Sequence, residues 1–313
     1  MATYLVTGGA GFIGSNVVRE LVRRRQKVVV LDNLVTGKRE NLAEVWPRIR
    51  FIAGDIRDLD TVAKAMRHVT YVLHQAALRA VERSVDDPRA TNDTNITGTL
   101  NVLLAARENR VRRVVFASSS SVYGGTSAGR QTEAMLLKPA SPYALTKLAG
   151  ENYCRLFSDL FGLFTVSLRY FNVFGPYQNP ESKYSAVIPI FVQHLRRGEP
   201  PEIHWHGRQS RDFTYVDNIV AANLLAATGR RVRSGEVYNI GNGRTTSVRE
   251  LYDALQALLG SAIEPRRGRK RRGDVLRTFA DVRKARRDFG YVPSVTFADG
   301  LARAIAWYKA NLS

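Results

Sequence analysis

The chain has 313 residues, 44% of them hydrophobic, which suffices for one large core or a core with a smaller lobe, and no apolar run is long enough to read as a membrane span. Its 47 Lys and Arg against 28 Asp and Glu give a formal charge of +19, with basic runs at Arg23 to Arg25 and Arg266 to Arg272. No aromatic interleaving or helix-turn-helix pattern accompanies that excess, so the composition favours a solvated, Arg-rich surface over nucleic-acid binding. Cys154 is the only cysteine; it excludes an internal disulfide and reads as a small core side chain. Met1 leads straight into a strand-like segment with no signal-peptide pattern, and the expectation is a cytoplasmic protein.

A strand ending in Leu5-Val6-Thr7 runs into Gly8-Gly9-Ala10-Gly11-Phe12-Ile13-Gly14, and the spacing of Val17, Val18, Leu21 and Val22 predicts a helix after it. Glycines between a strand and a helix let the backbone approach a pyrophosphate at the helix N-terminus. A second strand, Lys27 to Leu31, ends in Asp32, the place where a dinucleotide fold sets an acid on the adenosine ribose. A carboxylate there repels a 2′-phosphate and so favours NAD over NADP, with Lys38 and Arg39 close by as opposing charges.

A third strand, Arg50 to Ala53, delivers Gly54-Asp55-Ile56-Arg57; a helix from about Asp58 to Arg67 and a strand Tyr71 to His74 follow. This alternation builds a parallel sheet with crossover helices. Gln75-Ala76-Ala77 is small enough to pass beneath a flat cofactor. A long helix from about Asp87 to Asn109, bearing Asn95, precedes the apolar strand Arg113 to Ala117, which ends in Ser118 to Ser121. Serines at a strand's carboxyl end lie where open α/β sheets bind ligands. In Ser141-Pro142-Tyr143-Ala144-Leu145-Thr146-Lys147, an N-cap serine and a first-turn proline start a helix that carries a phenol and an amine on one face. An ammonium beside a phenol lowers its pKa, so Lys147 is expected to make Tyr143 a usable base. The pair alone is common on solvated helices and gains weight from the segments around it. Farther on, His204-Trp205-His206 has the alternation of two histidines on one strand face, but no third ligand stands near and no metal site is expected.

Thr7 to Ser15 (TGGAGFIGS), Ala117 to Gly124 (ASSSSVYG), Tyr143 with Lys147 (YxxxK) and Arg169 to Pro176 (RYFNVFGP) together resemble the extended short-chain dehydrogenase/reductase family, and within it the nucleotide-sugar 4-epimerases. The resemblance covers essentially the whole chain. It implies an α/β fold, a Rossmann-type doubly wound parallel sheet with a smaller C-terminal substrate lobe. Residues 1–169 with about 211–240 would form the cofactor domain, and about 170–210 with 241–313 the nucleotide-sugar lobe.

The resemblance also implies the chemistry. Tyr143 takes the hydroxyl proton, Lys147 assists it and binds the nicotinamide ribose, and Ser119, three residues before Val122, holds the reacting oxygen. NAD would be bound by Gly8, Gly11, Phe12, Ile13, Gly14, Asp32, Asn33, Asp55, Ile56, Gln75, Ala76, Ala77 and Asn95, with Tyr143 and Lys147. A UDP-sugar would meet Arg79, Ser119, Ser121, Asn172, His204, Arg211, Arg271, Asp274 and Thr278, the two arginines gripping the diphosphate. Thr278 stands where epimerases of plain hexoses tend to carry tyrosine, so N-acetylhexosamines are expected beside UDP-glucose, and Thr278→Tyr is expected to remove only the former. The 4,6-dehydratases place Asp-Glu where this chain has Ser120 and Ser121, which disfavours dehydration. Arg79 keeps a UDP-glucuronate 4-epimerase as the alternative, and a non-catalytic dinucleotide-sensing module that binds nucleic acid is the alternative of another class. A homodimer through the helices near 87–109 and 142–161 is the expected assembly.

Overall fold

The computed structural model describes residues 1–125, 129–179, 186–269 and 276–311. Seven parallel strands form the central sheet: β1 (Thr3–Thr7), β2 (Lys27–Asp32), β3 (Arg50–Ala53), β4 (Tyr71–His74), β5 (Arg113–Ser119), β6 (Thr165–Tyr170) and β7 (Glu236–Ile240). Their order is β7-β6-β5-β4-β1-β2-β3, so the direction of winding reverses between β1 and β4. Loops at the carboxyl ends of two strands diverge there and open a crevice.

These strands are near-continuous apolar runs because helices cover both faces of the sheet. Alternate residues feed two cores: Val6, Val30, Leu73 and Val115 pack on one side with the helices Phe12–Arg23 and Val216–Thr228. Leu5, Leu31, Val72 and Val114 pack on the other, together with Val102, Cys154 and Phe157. Cys154 is buried, as its sequence setting suggests. The first core runs on into the C-terminal part through Phe174, Phe191, Leu251, Leu301 and Tyr308.

Helix Pro142–Phe161 starts where Ser141 accepts a hydrogen bond from the Ala144 amide (3.1 Å) and stops at Gly162. The helix expected near 87–109 is helical in three pieces: Pro88–Asn92, a π turn over Asp93–Thr97, and Gly98–Glu108. The C-terminal lobe contains helices Val187–Arg196, Val248–Leu259 and Phe297–Asn311, plus short strand pairs such as Glu202–His204 with Arg266–Gly268. The expected strand through His204 and His206 is corrected: it ends at His204, and Trp205–Gly207 is a 3₁₀ turn, so strand alternation does not relate the two histidines. No helix among the described residues is long and apolar enough to cross a membrane.

Candidate active site

At the end of β1 the chain turns through Gly8, whose φ of +67° disfavours any side chain. A Cβ on Gly8 would lie 2.7 Å from the Ala76 backbone, and one on Gly14 would lie 2.1 Å from the Gly8 carbonyl oxygen. The glycines therefore let the turn press directly on the segment after β4. Asp32, at the end of β2, accepts hydrogen bonds from the amides of Ala10 (2.9 Å) and Leu34 (2.8 Å), tying the glycine turn to the next loop. Burial raises the pKa of this carboxyl, and the two amides act against that rise.

A cleft of about 1090 Å³ opens over these loops. Gly8, Gly11, Phe12, Ile13 and Gly14 line it, as do Asp32, Asn33 and Ile56. Gln75, Ala76, Ala77 and Arg79 form the segment beneath it, and Tyr143 and Lys147 face it from their helix. Its size, the bare backbone at the glycine turn and the carboxylate of Asp32 in its lining suit a dinucleotide.

The Lys147 ammonium is buried and donates to the Ala117 carbonyl oxygen (2.8 Å) at the end of β5. Burial lowers its pKa to about 8. The Tyr143 phenol has its pKa raised by burial, while a hydrogen bond with Ser119 and the charge of Arg79 act to lower it. Lys147 Nζ lies 5.9 Å from the Tyr143 ring centre and is hydrogen-bonded to Ala117, while Arg79 is a second cation, whose charge acts to lower the phenol. Arg79 is flanked by protein on several sides yet open to the cleft, and burial lowers its own pKa.

Other residues singled out in the sequence do not line this cleft. Ser119 reaches it through Tyr143 and also accepts a hydrogen bond from the Ser121 amide (3.2 Å). Among the described residues the Ser121 hydroxyl is buried without a hydrogen-bond partner. Asp55 is held by Arg57 (2.8 Å) and Asn33 (2.8 Å), and Arg57 keeps its carboxyl at a pKa of about 2. Asn95 points inward from the π turn: it accepts from the Leu78 amide (2.8 Å), and donates to the Leu78 carbonyl (3.0 Å) and the Thr146 hydroxyl (3.1 Å). It clamps the floor of the cleft to the helix of Lys147. Asn172 and Thr278 bond each other, His204 donates Nδ1–H to the Arg269 carbonyl (2.9 Å), and Arg211 donates to the Ser210 carbonyl (3.0 Å). Arg271 and Asp274 lie outside the described residues.

Residues 4–241 match the family described as the NAD dependent epimerase/dehydratase family. The chain belongs to that family. NAD is its cofactor. The UDP-glucose 4-epimerase of Mycolicibacterium smegmatis is 38% identical over 309 residues, spanning 97% of this chain and 98% of that protein. The UDP-glucose 4-epimerase of Thermotoga maritima, solved with UDP-glucose, shares the fold with a TM-score of 0.94 at 36% identity, covering 99% of this chain and 100% of that one. The UDP-N-acetylglucosamine 4-epimerase of Methanobrevibacter ruminantium, in complex with UDP-N-acetylmuramic acid, gives a TM-score of 0.95 at 36% identity, with 99% of each chain covered.

The cleft of this epimerase/dehydratase also contains residues that the sequence reading passed over: Arg57, Arg83, Tyr170, Tyr177, Gln178 and Trp307. Tyr170 and Gln178 belong to or follow the RYFNVFGP segment, so that segment was a signal for them. Trp307 comes from the C-terminal helix, and nothing in its local sequence separates it from an ordinary core aromatic.

Proposed function

We propose that this enzyme interconverts UDP-sugars at C4 through a transient 4-keto sugar, acting on the UDP-glucose/UDP-galactose pair and on the corresponding N-acetylhexosamines. The observation that carries the reading is the Tyr143 phenol at the cleft, bonded to Ser119 and faced by Arg79, beside a β5 terminus with serines and no carboxyl at positions 120 and 121. A phenol can take a hydroxyl proton, and a site without an adjacent acid has no group poised to expel water from the neighbouring carbon.

In this mechanism Tyr143 accepts the C4 hydroxyl proton and Ser119 hydrogen-bonds the same oxygen. Lys147, fixed by Ala117, holds the ribose next to the reacting carbon, and Arg79 stabilises the phenolate. Bound NAD supplies a reversible hydride acceptor, which makes the reaction redox-neutral overall. Gly8, Gly11 and Gly14 would receive its pyrophosphate, with Asp32 at the adenosine ribose. Residues 1–169 with about 211–240 serve as the cofactor domain, and about 170–210 with 241–313 as the sugar-nucleotide lobe. Asn172, His204, Arg271, Asp274 and Thr278 would meet the nucleotide sugar from that lobe, and Arg211 would meet it from the edge of the cofactor domain.

A homodimer is supported by Leu145, Leu156 and Leu160, exposed along one face of helix Pro142–Phe161. Light scattering during gel filtration tests it, and a monomer at micromolar concentration refutes it. The function is tested by incubating the purified protein with UDP-glucose, UDP-N-acetylglucosamine and UDP-glucuronate and resolving the products. The 4-epimers of the first two support the proposal. Turnover of UDP-glucuronate alone would replace it with the uronate reading, in which Arg79 meets the carboxylate, and a 4-keto-6-deoxy product would replace it with dehydration.

A further inference from the structure

A second cavity, of about 300 Å³, shares no lining residue with the cleft. Its apolar floor includes Tyr291, Val292 and Pro293, and three arginines, Arg130, Arg283 and Arg286, stand around it with one acid, Asp281. That acid is already committed: Arg283 engages both of its oxygens, at 2.9 and 3.0 Å from Nε. Neither Arg130 nor Arg286 forms an ion pair among the described residues; the Arg130 charge also acts on Asp281, so that one acid is shared among the guanidinium groups that line this half-open pocket. Arg130 is held in place by stacking on Phe279, 4.8 Å from the ring centre.

Three wall residues are also tied to the segment that carries Arg211. The amides of Asn242 (2.7 Å), Gly243 (3.0 Å) and Ala280 (3.1 Å) all donate to the carboxylate of Asp212, next to Arg211. The cavity is therefore framed by backbone that is pinned from within, and its arginines are presented on a fixed base.

We propose that this cavity is a second ligand site, taking a compact phosphate-bearing small molecule between Arg130 and Arg286. A phosphate group brings roughly −1.5 to −2 charges at neutral pH and three acceptor oxygens, enough to pair with two forked guanidinium groups, where a carboxylate ligand would bring one charge and two oxygens. The apolar floor accommodates the organic part of such a molecule.

The probe is pyrophosphate, titrated calorimetrically at fixed ionic strength into the NAD-loaded full chain. Wild type is compared with Arg130→Gln/Arg286→Gln, with Arg211→Gln to remove a charge assigned to the nucleotide sugar, and with Arg230→Gln/Arg231→Gln as an exposed basic pair elsewhere. The expected result is a binding component weakened at least about tenfold in the Arg130/Arg286 pair and kept in the other two variants. Because both arginines are exposed, the pair is expected to melt with the wild type. If it does not, Arg286→Glu alone must show the same loss. The proposal is overturned if the Arg130/Arg286 pair binds as wild type does, if all binding disappears with Arg211→Gln, or if Arg230→Gln/Arg231→Gln weakens it equally. Turnover is not the readout, so the outcome stands apart from the proposed epimerase activity.

Discussion

The Asn172 side-chain amide donates to the Thr278 hydroxyl at 2.7 Å, joining two positions 106 residues apart in the chain. The same hydroxyl accepts from the Asp212 amide (3.2 Å), and Thr278 is only 8% exposed. Thr278→Val keeps the shape and removes the acceptor, leaving two donors without it, so a loss of about 1–3 kcal/mol in denaturant unfolding is expected. Thr278→Tyr has to displace this bond as well as find room. The selective loss of N-acetylhexosamine turnover suggested by the sequence is therefore revised to a fall in kcat/KM for both sugars, measured side by side.

Tyr143→Phe keeps the ring in its place and removes only the proton acceptor. Turnover should fall by about 10² to 10⁴, while the NAD content of the purified protein, read from its absorbance after denaturation, stays at the wild-type level. Retained activity would remove Tyr143 from the chemistry.

Lys147 is a buried ammonium whose pKa falls to about 8 in the folded protein, from an ordinary value near 10.5. Between those two values the unfolded chain binds more protons than the folded one, so this group makes stability rise with pH across that window. Below about pH 8 its burial costs stability. Lys147→Met should flatten the rise from about pH 8 to 10 in urea midpoints and abolish turnover; an unchanged slope would show that the ammonium is not desolvated.

Asp32 bonds Ala10 and Leu34, so its carboxylate shapes the glycine turn as well as presenting a charge. Asp32→Ser should bring NADP affinity closer to that of NAD, and should also weaken NAD itself because the loop loses a double acceptor. Titration of the cofactor-stripped protein with both dinucleotides reads the two effects separately.

Glu151 and Arg169 form a buried pair, 2.7 Å apart with both side chains 4% exposed, joined by the hydroxyls of Ser118 and Tyr123. Glu151→Gln leaves the guanidinium buried without its counter-charge, and a loss of about 3–5 kcal/mol is expected. Glu151→Gln/Arg169→Met should be more stable than the single variant, since it removes the orphaned charge; equal urea midpoints would refute that account.

Local signals in the sequence were sufficient for the sheet. β1 to β5 were legible because each is a short apolar run set off by turns or helical spacing, and the glycine turn and the Tyr143–Lys147 face depend on spacing within a few residues. What each polar side chain does was decided only by tertiary structure. Asn95 and Asp55 are expected as cofactor contacts, and the structure adds what the sequence did not show, their hydrogen bonds to Leu78, Thr146, Arg57 and Asn33. Lys147 is expected as the cation acting on Tyr143; that the Ala117 carbonyl fixes it, and that Arg79 also comes to the phenol from a loop 64 positions earlier, needed the tertiary structure. Trp307 reaches the cleft, and Arg130 and Arg286 line one pocket, only because the C-terminal segments fold back over the sheet. Such meetings depend on long-range packing, and the backbone periodicity that reveals a helix or strand carries no record of them.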